Sequence, residues 1–364
     1  VSPGLGTAVE KKALPAAVVT GLRHITKPLW PIRYKPFEDE LLSCWLVRLA
    51  HGHGMKVQTF CNLLFGSKLQ VWNRDVDRLA PAWLIEELSA RTGTSLAAAY
   101  ATTLRSYEGQ LFATIKTSGA QPWIQSLKIY HRKRLGFGLQ YCGACLAEGP
   151  EPYFRKRWRV TLNTICDRHQ CMLHDRCPGC EAGVVFHRTD IGQGAAQDFI
   201  SLAQCHACGF DLRDAPIGPI VSYDDAAVAQ HRELCADLRR GAAIDLEGMR
   251  TLHHLVGLLL SRYKTVYLRE HVCAQLGIAD IVQVMGRLSV ECRPVDERHF
   301  LVQLGVWLLL DLPARLGHAW RSKAVRYNYL RKDFEDVPKF YAEVVEGFSN
   351  WRSARANGRD ERLR

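Results

Sequence analysis

Apolar residues at Leu41, Leu42, Trp45, Leu46 and Leu49 recur three and four apart, the period of a helix that buries one face. The run stops at the Gly-His-Gly of 52–54 and resumes over 57–65, where Gly66 ends it. Two helices across a short glycine-containing turn read either as a helix-turn-helix or as an ordinary helical hairpin. The cycle repeats: 81–91 is amphipathic, and 94–105 follows with Thr94 as its expected N-cap. A further helix is predicted over 123–133. From Gly136 to about Pro219 the helical spacing is replaced by Cys, Gly, Pro and Arg, with short strand-like pieces such as 184–187. Helical periodicity returns after Asp224, over 225–240, 246–263 and 268–276, with two helices expected around Gly277 within 271–288. A core helix is expected over 300–312 and a last packed one over 337–347.

The predicted fold is therefore mainly α. It has a flexible leader (1–27), an N-terminal helical domain with the helix-turn-helix (28–135), a Cys-rich module (136–220), a C-terminal helical domain (221–350) and a basic tail (351–364). A length of 364 residues suits two or three domains. The longest apolar run is broken by Gln303 and ended by Asp311 and Pro313. It falls short of the ~20 residues needed to span a bilayer, so no membrane partner is expected.

Charge changes the picture. Lys and Arg number 48 against 37 Asp and Glu, a formal charge of +11, which suggests a polyanionic partner such as nucleic acid. Three basic stretches are candidates for contacting it: Arg132, Lys133 and Arg134; Arg155, Lys156 and Arg157 among Tyr153, Phe154 and Trp158; and Arg326 and Arg331 within a stretch that also holds Arg321, Lys323 and Lys332. Basic residues interleaved with aromatics can combine phosphate contacts with base stacking. For 153–160 the competing reading is a basic strand that packs its aromatics beneath the cysteine turns.

Thirteen cysteines, many in C-x-x-C pairs, point to metal sites in an intracellular, bacterial-cytosol setting rather than to disulfides. Four pairs occur in order: Cys142/Cys145, Cys166/His169, Cys177/Cys180 and Cys205/Cys208. Ligands three apart on a tight turn chelate one ion together, so four pairs make two four-ligand sites and imply two Zn2+ per chain. Sequential pairing gives Cys142, Cys145, Cys166 and His169 to one zinc and Cys177, Cys180, Cys205 and Cys208 to the other. Interleaved pairing, first with third and second with fourth, stays open. Cys171, His174 and His206 are left over as passengers. Closed, thiolate-rich sites are structural. The deaminase pattern is absent, as are a phosphate loop, a nucleophile elbow and H-E-x-x-H, so no catalytic residue is assigned and no enzyme is expected. A scattered acidic triad is the enzyme alternative.

Several stretches in order resemble the TniQ/TnsD family of bacterial transposon target-selection proteins: ELLSCWLVRLAHGHG with FCNLLFG, then LSARTGTSLAAAYATTLRSYEG, then YCGAC, PYFRKRWRV, TICDRHQCMLHDRCPGC and CHACGFDLRDAP, and last LLLDLPARLGHAW with YLRKDFEDVPKFYAEVVEGF. The Cys-rich portion is the most specific. The resemblance implies a helix-turn-helix with 57–65 as its recognition helix, a double zinc-finger module and a non-catalytic adaptor. Such an adaptor binds a CRISPR effector complex or attachment-site DNA, commonly as a dimer. It recruits an AAA+ ATPase regulator, which engages the transposase machinery. The alternatives are a stand-alone site-specific DNA-binding zinc protein and a zinc-dependent nucleic-acid enzyme.

Overall fold

The computed structural model describes residues 28–66, 75–127, 139–188, 201–261, 266–283, 288–332 and 334–348. The leader, the tail and the cluster Arg132, Lys133 and Arg134 lie outside them. Among the described residues the chain is mainly helical, with thirteen α-helices and one two-stranded sheet.

The first helices follow the apolar period. Helix α1 (Leu42–Gly52) buries Leu42 through Ala50 and has no cap of its own. Asp77 supplies one, accepting from the Ser43 backbone N–H at 2.7 Å and from its hydroxyl at 2.9 Å. Helix α2 (Val57–Phe65) sets Val57, Phe60 and Cys61 inward and leaves Gln58, Thr59 and Asn62 exposed. Helices α3 (Val76–Leu79), α4 (Ala82–Thr92) and α5 (Leu96–Ala101) complete this end. The cap of α5 is Ser95, which accepts from the Ala98 N–H, and not Thr94.

The central part holds α6 (Gly143–Ala147) and an antiparallel hairpin of β1 (Ile165–Cys166) and β2 (Cys171–Met172). The C-terminal part comprises α7 (Asp225–Arg240), α8 (Leu246–Leu259), α9 (Leu268–Leu276), α10 (Val295–Leu310), α11 (Leu312–Arg321), α12 (Tyr327–Leu330) and α13 (Lys339–Glu346). Helix α10 packs on α7 and α8, close enough that a Cβ on Gly305 would stand 2.9 Å from Leu252 and Val256 side chains. No single helix among the described residues is long and apolar enough to cross a membrane, and α10 and α11 are bent by 104° at Asp311.

Two predicted helices differ. Over 121–127 the chain is not helical: Trp123 has φ +63°, and its backbone N–H reaches Glu291 at 3.2 Å while its indole donates to the Met249 carbonyl at 3.0 Å. The second helix expected after Gly277 is absent from 278–283.

The segment 153–164 joins the three parts. Its Phe154 carbonyl accepts from Leu41 N–H at 2.9 Å, and Thr161 N–H donates to the Trp123 carbonyl at 2.8 Å. Leu162 takes the His231 Nε2–H at 2.6 Å, and the Thr164 hydroxyl meets His299 Nδ1 at 2.9 Å. One hydrophobic cluster accordingly runs from Trp30 to Val345.

Candidate metal centres

The structure brings the eight candidate ligands together in the sequential pairing. Cys142, Cys145, Cys166 and His169 form one group and Cys177, Cys180, Cys205 and Cys208 the other, with the donor atoms of each within 4.8 Å of one another. A tetrahedron built on zinc–sulfur bonds of about 2.3 Å has sulfur–sulfur edges of about 3.8 Å. Cys145 and Cys166 stand 3.6 Å apart, Cys177 and Cys208 3.6 Å, and Cys180 and Cys205 3.7 Å. His169 presents Nδ1 to all three sulfurs of its group, at 3.5, 3.3 and 3.4 Å. The donor set and its dimensions fit a tetrahedral d10 ion, and zinc is the ordinary occupant of such sites.

Local backbone explains the second site. Cys177 and Cys205 head two turns with the same bonds: Cys177 N–H to the Ala182 carbonyl and Glu181 N–H back to Cys177, Cys205 N–H to Phe210 and Gly209 N–H back to Cys205. The residue after the second cysteine is left-handed in both, Glu181 at φ +59° and Gly209 at +76°. Each turn also aims an N–H at its first sulfur, from Gly179 and Ala207 at 3.4 Å. These donors favour a thiolate. Burial pushes the Cys177 thiol up to about 12, a cost that a bound cation removes by pairing with the thiolate.

Residues around the ligands were not visible as partners in the sequence. Glu148 Oε1 accepts from His169 Nε2 at 3.0 Å, which fixes the tautomer that leaves Nδ1 free for the ion. The same carboxylate lies 3.0 Å from Arg168 and 3.6 Å from Arg155. The leftover residues have places. Cys171 pairs with Cys166 in the hairpin, so its side chain shares that face, and its sulfur comes within 3.8 Å of Cys142. His174 exchanges two backbone hydrogen bonds of 2.9 Å with Tyr141 and reaches the Pro216 carbonyl at 2.8 Å. His206 has its pKa lowered by burial. Between the sites, Met172 N–H bonds to Gly218, Leu173 N–H to Thr164, and the Asp175 carboxylate takes the Val295 N–H at 2.7 Å.

The reading of Arg155, Lys156 and Arg157 as a phosphate-contacting surface is corrected. Arg155 and Arg157 are each 4% exposed. Arg155 donates to the Cys145 carbonyl at 3.3 Å, and Arg157 meets Asp39 at 2.6 Å. Lys156 bonds to the Ala101 carbonyl and the Ser106 hydroxyl, each at 2.7 Å, over the Tyr107 ring. Arg159, fully buried, pairs with Asp75 at 2.6 Å and Asp77 at 3.0 Å. These guanidiniums hold the fold, and Trp158 is buried among them. Arg326 and Arg331 are exposed.

No curated protein matches the chain significantly. The TniQ family model matches residues 31–173, which span α1 to α5, all four donors of the first metal group and the hairpin. TniQ is a family of non-catalytic transposition adaptors. Over residues 31–173 the chain is similar to the TniQ family, a likeness that points to a role in transposition.

Proposed function

We propose that the chain is a non-catalytic targeting adaptor in bacterial transposition. It binds a target nucleoprotein, a CRISPR effector complex or attachment-site DNA, and recruits an AAA+ ATPase regulator with its transposase machinery, acting as a dimer in the cytoplasm. The observation that carries the reading is the closure of both metal groups, each with four protein donors gathered within 4.8 Å inside or beside a TniQ segment. Such a sphere holds a structural ion and offers no position for substrate. The two Zn2+ fix the central module as a scaffold, with Cys142, Cys145, Cys166 and His169 around one and Cys177, Cys180, Cys205 and Cys208 around the other.

The test is co-purification. Tagged protein, co-expressed with the AAA+ regulator and transposase genes beside its own, is expected to retain the regulator and a defined nucleic acid, which sequencing identifies. Metal-dependent cleavage of nucleic acid by the purified chain, with no regulator retained, would overturn the reading in favour of an enzyme. A second reading has its own support: α2 leaves Gln58, Thr59 and Asn62 exposed, side chains able to read base edges in a major groove. Binding to one DNA sequence without other proteins would favour a stand-alone DNA-binding protein.

A further inference from the structure

Between 312 and 332 the sequence carries six Lys and Arg and no Asp or Glu. Several arginines elsewhere are neutralised: Arg48 pairs with Glu40, Arg269 with Asp280 and Arg293 with Glu297, as Arg157 and Arg159 do with their aspartates. Arg321, Lys323 and Arg326 are exposed and pair with no carboxylate among the described residues. An unpaired guanidinium on a rigid element is an available donor for an anion.

Their placement is fixed by packing. Helix α11 buries Leu312, Leu316 and Ala319, which turns His318 and Arg321, three apart, outward on one stripe. His318 Nδ1 lies 3.0 Å from His271 Nε2 of α9 with the rings 5.0 Å apart, so the start of α9 adjoins the stripe. Tyr267, one turn before His271 and 52% exposed, donates its backbone N–H to the Ala324 carbonyl at 2.7 Å, between Lys323 and Arg326. Tyr341 bonds to the Leu330 carbonyl at 2.9 Å and steadies α12 beneath.

We propose that the face formed by Arg321, Lys323 and Arg326, with Tyr267 and His318 beside them, contacts the phosphate backbone of nucleic acid. Three cations that pair with no carboxylate among the described residues suit phosphates, and the exposed Tyr267 ring beside them offers a base something to stack on. The inference rests on the adaptor reading for its biological meaning and moves the nucleic-acid contact from the central basic stretch to the C-terminal helices.

The experiment is a fluorescence-anisotropy titration of the full chain against labelled duplex DNA and single-stranded RNA, each about 30 nucleotides long and of arbitrary sequence, from about 50 to about 200 mM NaCl. The test variant is R321Q/K323Q/R326Q. The control R33Q/K116Q/K339Q removes three other exposed cations and the same net charge. The test variant is expected to lose on the order of 10- to 100-fold in affinity and to lower the salt slope by about 2 to 3, the control less than about threefold. Equal losses in both variants, no loss in the test variant, or no binding of either probe by the unaltered protein would overturn the proposal. The duplex and RNA arms show which polyanion is preferred. Melting temperature and metal content confirm that the variants fold. Co-purification of the regulator is scored separately: its loss in the test variant with nucleic-acid binding intact would give this face to a protein instead, and its absence in the unaltered protein would sink the adaptor reading alone.

Discussion

His169 is held from two sides, by three sulfurs around Nδ1 and by Glu148 at Nε2. Replacing Glu148 with Gln keeps a partner for Nε2 but removes the charge that raises imidazole basicity. Metal affinity at the first site is expected to fall about 10- to 100-fold, read by competition with a chromophoric chelator, with the second site unchanged. Cys177→Ser should remove one metal per chain and lower the melting temperature, because a structural ion contributes folding free energy. Two metals retained per chain would show that Cys177 is no ligand. At this scale the eight donors were legible because chelation by a C-x-x-C turn is local. Glu148 and Cys171 were not, since an acid or thiol near a ligand becomes a neighbour only through packing. Charge misled for the same reason: composition displayed Arg157 and Arg159, but their partners Asp39 and Asp75 lie 118 and 84 positions away.

Elements with clean periods ended by a glycine came out at their predicted bounds: Val57–Phe65, Asp225–Arg240 and Leu268–Leu276. Helix α10 begins at Val295, ahead of its apolar run, because Glu297 and Arg298 are buried and bonded inside and so hide the period that marks a helix. At 123–127 aromatic and aliphatic spacing suggested a helix, and tertiary bonds from Trp123 took precedence. The first cysteine turn carries an element-scale constraint. A Cβ on Gly143 would stand 2.9 Å from the Leu212 carbonyl and 3.2 Å from that of Arg213, just past the second site's Cys208. Gly143→Ala must push α6 away from that turn, and a loss of about 1–3 kcal/mol is expected in denaturant unfolding. An unchanged midpoint would mean that the contact yields freely.

Across the whole molecule, α7 and α10 meet the central segment through two buried imidazoles. Burial lowers His231 to about 3 and His299 to about 4, with rings 5.3 Å apart. A histidine whose folded pKa lies below its unfolded value stabilises above about pH 6.5 and loses that contribution as pH falls toward the folded value. Glu40, raised by burial to about 7, and Asp77, raised by burial to about 6, work the other way as pH falls through those values and offset the two protons. His299→Gln should remove one acid-side loss and so change the slope of stability against pH below 6.5 by about 1.4 kcal/mol per pH unit. Coincident pH profiles of melting temperature for variant and parent would refute the assignment. The buried arginines have a last consequence, for genetics. In an alanine scan, Arg157 and Arg159 would emerge as the strongest loss-of-binding positions, because each leaves an aspartate stranded in the interior and unfolds the chain. Arg321 and Arg326 would register weakly one at a time. A screen scored on binding alone would thus rank the protein's scaffolding above its grip, and soluble yield scored beside it would tell the two apart.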